Sequence, residues 1–208
     1  MSNMTLEGFN NSLQENRSQD MLVDFCRKHV LHGVPHVFDA RENDYYDFRK
    51  KIAENFDINF HEVYITGSGK LGFSPFKNKI FDLDSDIDVA IISNDLFERL
   101  MWEINKFQLD LRLSRTTFDV HELKKYHDFL EYIAMGWLRP DKLPTSVKIK
   151  KIKNEWFDFF RDLSYGKSEV GNYKVAAGVF KSYQHFESYN ISGFKVLQDK
   201  LKLQGNQL

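Results

Sequence analysis

The chain has 208 residues, 42% hydrophobic and 28% charged, the composition of an ordinary globular protein rather than a disordered or fibrous one, with enough apolar side chains for one domain with a core. Its single cysteine, Cys26, excludes an internal disulfide, falls on an apolar helix face where a buried thiol is expected, and points to a reducing compartment. No apolar run approaches the roughly 20 residues that span a bilayer, and the polar start "MSNMTLEGFNNSLQENRSQD" is no leader peptide, so a cytoplasmic protein without membrane insertion is expected.

The formal charge of −1 hides an asymmetry. Residues 1–141 carry 17 Lys plus Arg against 24 Asp plus Glu, and residues 142–208 carry 12 against 6. A run of that kind is either a solvated basic helix surface or a basic side that faces an acidic, metal-holding side across a cleft for polyphosphate.

In chain order, Ser18 is the expected N-cap of a helix in which Leu22, Phe25, Cys26, His29 and Val30 recur at helical spacing until Gly33 and Pro35. Tyr45, Phe48, Ile52 and Phe56 mark a second amphipathic helix over about 43–56. The period then changes. "HEVYIT" stops at Gly67 and "DIDVAIIS" ends at Ser93, two short runs with strand composition. "NDLFERLMWEINKF" returns to helical spacing with Asn94 or Asp95 as its cap. "FDVHELKKYHDFLEYIAMGWL" and "VKIKKIKNEWFDFFRDLS" also read as helical, separated by "RPDKLP". "NYKVAAGVFKS" alternates like a third strand, and "YQHFESYNISGFKVLQDKLK" reads as one or two terminal helices. The expectation is a single α/β (α+β) domain over 1–208 with a small mixed sheet flanked by helices: N-terminal helices at about 18–56, a core at about 61–108, a helical insert at about 119–165, and a C-terminal strand and helices at about 172–203.

The chemistry is concentrated in "VYITGSGKLGFSPFKNKIFDLDSDIDVAIIS", residues 63–93. Side chains two apart on a strand share a face, so Asp86 and Asp88 project together about 6.5–7 Å apart along the chain. Two anions so placed, in a residue type that disfavours strands, call for a cation or full solvation. They lead into Val89, Ala90, Ile91 and Ile92, an apolar run that reads as buried, so they border a cleft rather than open water. Gly67, Ser68 and Gly69 form a turn that brings backbone N–H groups and the Ser68 hydroxyl toward an anion. Lys70 and Leu71 follow where a Walker loop or a dinucleotide fingerprint requires other residues.

"GSGKLGFS" followed by "SDIDVAII" resembles the polymerase-β-like nucleotidyltransferase superfamily, which places Gly-Ser at a helix start and Asp-x-Asp on the neighbouring strand. The resemblance covers residues 63–92. It implies a nucleotidyltransferase fold with Gly67 and Ser68 on the phosphates of a nucleoside triphosphate, ATP among the candidates. Asp86 and Asp88 become ligands of Mg2+ or Mn2+. It also implies a third carboxylate from an adjacent later strand. The best later strand, 173–180, has no acid, which leaves Asp119 in "TTFDVHE" or Asp110 in "LDLRL". Asp119 is preferred, with a helix cap as its other reading. The acceptor is a nucleotide, an oligonucleotide or a protein. Some relatives of this kind belong to anti-phage systems or toxin-antitoxin pairs, so a partner protein from such an operon is implied by analogy. The alternative is a catalytically degenerate fold that binds nucleotide or a partner without chemistry.

Other candidates lie outside that stretch. Lys181 and Ser182 follow the late strand at a helix start and are expected to reach the triphosphate; a surface lysine and a cap is the competing reading. Tyr183, Phe186, Tyr189 and Phe194 either stack a base or belong to the core, and Trp137 and Trp156 are assigned to packing. His29, His32 and His36 have ligand-like spacing without acidic or thiol support. Lys77 and Lys79 fall in a hairpin that is either inert or a lip over substrate.

Overall fold

The computed structural model describes residues 4–205 except 145, 148 and 150. The chain opens with α1 (Leu6–Glu15), capped by Thr5, in the polar start that composition leaves without structure; Phe9 and Leu13 on one face are fully buried. Helix α2 (Gln19–Cys26) starts at the expected Ser18 cap and continues as a wide turn over Arg27–Leu31. Helix α3 (Glu42–Phe56) stops where Asp57 turns left-handed. Strand β1 (Val63–Thr66) runs into the short α4 (Gly67–Leu71), and the hairpin β2 (Phe73–Ser74) and β3 (Lys79–Ile80) follows. Then come β4 (Ile87–Ile92) and α5 (Asn94–Arg112), whose cap is Ser93 rather than Asn94 or Asp95.

The expected helix through residue 138 ends early. Helix α6 covers Val120–Ala134, and Trp137–Leu138 form the edge strand β5. Gly136 breaks the helix at φ +73°, a conformation that favours glycine, and His185 fills the space a Cβ there would need. The next expected helix is described as a wide turn over Lys151–Trp156 and α7 (Phe157–Asp162); its Lys148 and Lys150 lie outside the described residues. Strand β6 (Val175–Phe180) precedes α8 (Tyr183–Gly205), a single continuous helix.

The molecule is mixed α+β, with a sheet in the order β1-β4-β6-β5. Strand β4 pairs antiparallel with β1 and parallel with β6, while β5 runs antiparallel to β6. Alternation along β4 divides the core in two. Ile87, Val89 and Ile91 face a cluster built from α3, α5, α6 and α7, with Phe48, Ile52, Phe129 and Trp156 buried in it. Ala90 and Ile92 face the other cluster, made by α1, α2 and α8. Asp88 shares the parity of Ala90 and Ile92, so it stands on this second face, at the strand end where the apolar cover stops. Among the described residues no helix is long and apolar enough to cross a membrane.

Candidate functional site

The pairing of β1 with β4 joins the two halves of the sequence motif. Thr66 lies opposite Asp88, and the Thr66 hydroxyl donates to the Asp88 carbonyl at 3.3 Å. The next residue, Gly67, has φ +61°, and a Cβ built on it would stand 2.9 Å from Asp88 Oδ2. Glycine is therefore required twice over, by backbone conformation and by the carboxylate against it. Ser68 follows, half-buried at the start of α4. Gly69 packs on Ile87 and Ile65, which fixes α4 to the strands.

Asp86 and Asp88 are close enough to act on each other, and solvent still reaches both. Protein nevertheless crowds Asp88 so closely that lost hydration, then the charge of Asp86, pushes its carboxyl above the usual range; Arg139, Lys77 and Lys174 oppose that rise. These three cations come from three elements. Lys77 is in the β2–β3 hairpin. Lys174 immediately precedes β6, with Nζ 3.6 Å from Asp86 Oδ2. Arg139 follows β5, lies over the Trp137 ring at 4.7 Å and is braced by Asp141 through bonds of 3.1 and 2.8 Å. Sequence reasoning singled out neither Lys174 nor Arg139. The only signal was their position, one residue outside short apolar runs.

Of the four aspartates at 82–88, the first serves the loop. Asp82 Oδ1 accepts from the Ser85 hydroxyl, the Asp84 N–H and Lys79 Nζ, closing the turn before β4. Lys70 likewise turns away from the cleft. It is buried, donates to the carbonyls of His32 and Gly33, and burial lowers its pKa to about 8.

Three expected site residues stand elsewhere. Lys181 and Ser182 are set apart from Asp88 by the parallel register: Phe180 lies opposite Ile92, roughly 13 Å along β4 from Asp88 at about 3.3 Å per residue. Lys181 pairs with Glu98 of α5 at 2.7 Å, and the Ser182 hydroxyl meets His185 Nδ1 at 2.7 Å. Asp119 is the N-cap of α6, accepting from the Glu122 N–H at 2.8 Å in a reciprocal capping box. Asp110, the other candidate, pairs with Arg115. Among the described residues, no group of three or more His, Cys, Asp or Glu could hold a metal ion. That includes the histidines: His29 packs on Phe25, and His36 packs edge-on against Phe81.

Phe186 and Phe194 are core, and Tyr183 bonds the Tyr64 hydroxyl at 2.8 Å at the far end of the sheet. Tyr189 differs. It sits against Trp137 at 4.3 Å, feels the charges of Arg139 and Asp88, and lines an open groove of about 770 Å³. Phe76 of the hairpin and Met135 line the same groove, with Gln184, Ser188 and Ser192 of α8. Trp156 packs as expected; Trp137 also packs, stacked on Phe180, but is only half-buried, and its indole N–H has no hydrogen-bond partner among the described residues.

Two adjacent carboxylates, one of them seated against a glycine, offer the hard oxygen donors that Mg2+ or Mn2+ accepts, with phosphate oxygens and water to complete the shell. The set therefore fits such an ion as a two-carboxylate site. No family model, no curated protein and no solved structure matches the chain.

Proposed function

We propose that the protein is a nucleotidyltransferase of the polymerase-β-like kind, moving a nucleoside monophosphate from a nucleoside triphosphate to an acceptor hydroxyl. The observation that carries the reading is the seat of the Asp88 carboxylate against left-handed Gly67 across the β1–β4 pair. It brings a Gly-Ser turn beside paired acids, as an in-line attack on a triphosphate requires. Gly67 and Ser68 hold phosphate oxygens, and Lys77 and Arg139 supply positive charge around them. Asp86 and Asp88 hold Mg2+ or Mn2+, which when bound would polarise the phosphates and offset charge on the leaving group. The acceptor oxygen bonds to the α-phosphorus, the α-phosphorus to bridging-oxygen bond breaks, pyrophosphate leaves, and the hydroxyl proton passes to solvent. The groove beside Tyr189 is the place for an acceptor, be it nucleotide, oligonucleotide or protein.

The test is incubation with each α-labelled triphosphate and Mg2+ in the presence of candidate acceptors, with products resolved by size. A labelled product that disappears in Asp86→Ala and Asp88→Ala is expected. Two observations favour the non-catalytic alternative: Asp86 already has a cation against it, and no third acid joins the pair among the described residues. Tight, Mg2+-dependent triphosphate binding without turnover on any acceptor would select that reading.

A further inference from the structure

The strands beside β4 decide how many cations the site can hold. On one side, β1 brings Thr66 level with Asp88. On the other, β6 brings Val175 level with Ile87 and Ala176 level with Asp88, and Lys174 stands just before them. A third carboxylate from a neighbouring strand would have to occupy one of these positions, and none is acidic. Instead the Ile87 N–H donates to the Lys174 carbonyl at 2.8 Å, which anchors that residue's backbone, and its ammonium stands 3.6 Å from Asp86 Oδ2. Both side chains are about half exposed, 55% for Lys174 and 51% for Asp86, and a pair that open contributes little to folding. An ammonium has three donors and no acceptor, so it cannot complete a metal's shell. What it can do is supply positive charge and hydrogen bonds to phosphate oxygens.

We propose that this cleft binds one divalent cation rather than two, and that the Lys174 ammonium occupies the place a second cation would need, turning from Asp86 to a phosphate oxygen when nucleotide enters. The inference rests on the nucleotidyltransferase reading, because it presumes that Asp86 and Asp88 hold a metal. It assigns Lys174 as a binding residue for the triphosphate.

Mn2+ makes this countable without turnover, since an isolated ion and a pair bridged at about 4 Å have different electron paramagnetic resonance spectra. Wild-type protein with one equivalent of α,β-methylene-ATP is expected to bind one Mn2+ and give the uncoupled six-line spectrum. Lys174→Glu, which supplies the absent acid, is expected to bind two and give an exchange-coupled spectrum. Lys174→Ala should keep one ion and bind the analogue about tenfold more weakly, the loss expected for one charge-assisted hydrogen bond. A coupled pair in the wild type would overturn the inference and leave the proposed function standing. One ion in a folded Lys174→Glu, or unchanged analogue affinity in Lys174→Ala, would remove Lys174 from the role. No Mn2+ bound by wild type, with or without the analogue, would overturn both. If Lys174→Glu fails to fold, the wild-type spectrum and Lys174→Ala still decide.

Discussion

The two ends of the central sheet carry similar residue types and treat them differently. At the end that holds Phe180 and Ile92, polar groups are matched within the protein: Lys181 with Glu98, Ser182 with His185, and Tyr183 with Tyr64. At the end that holds Thr66 and Val175, Asp88 is crowded beside Asp86 with three cations around them; Lys174 reaches Asp86 and Arg139 is held by Asp141, yet among the described residues no ion pair reaches Asp88 itself. Matched groups at one end hold the chain in place. The unmatched charge at the other is a standing cost to the fold that a ligand can relieve, as expected of a binding cleft rather than of a brace.

That contrast breaks most readily at the acids. If the proposed transfer takes place here, Asp88→Ala should cost about 10³-fold or more in single-turnover rate, because a metal-assisted step would lose a ligand. Its thermal midpoint should hold or rise, since a crowded like charge is removed. Retained turnover would show that the cleft is not the reaction centre. Gly67→Ala is the next largest. The new methyl group meets Asp88 Oδ2 in a backbone conformation that costs about 1–2 kcal/mol outside glycine, so a displaced carboxylate and about 10²-fold slower turnover are expected. Wild-type rates in Gly67→Ala would mean that this seat does not position Asp88.

Lys70 sharpens the contrast, because it lies two residues past Ser68 yet belongs to the brace. Its pKa, lowered by burial from 10.5 to about 8, leaves the unfolded chain holding the extra proton between those values. Stability due to Lys70 should therefore rise as pH increases from about 8 to 10.5, and Lys70→Met should abolish that slope. Urea midpoints of both proteins at pH 7.5, 9 and 10.5 would show diverging curves; parallel curves would mean that the His32 and Gly33 carbonyls hold the ammonium at its ordinary value. The smallest effects belong to the far end and the α6 cap. Lys181→Ala, Ser182→Ala and Asp119→Asn should keep turnover within about twofold, with the exposed pair at Lys181 worth no more than about 1 kcal/mol and asparagine replacing the cap within a few tenths. A large loss of turnover in any of the three would restore that residue to the site.

What the chain determined by itself is short-range. Two residues of separation bring Asp86, just before β4, and Asp88 within reach of each other's charge, Gly67 announced a conformation other residues avoid, and Ser18 capped α2 as its hydroxyl predicts. Even α1 was legible in principle, in Leu6, Phe9 and Leu13 behind the Thr5 cap, although its polar remainder obscured it. Tertiary structure alone decided which charges meet. Trp137 left the helical pattern for an edge strand because β6 offered it a partner and Gly136 released it. Lys181 went to the far end of the sheet, and Lys174 came to the acids, through one fact: β6 pairs parallel with β4 across more than 80 residues of chain. Hydrophobic period and capping act over a turn or two of backbone, whereas strand direction and register are settled by burying both faces of the sheet at once.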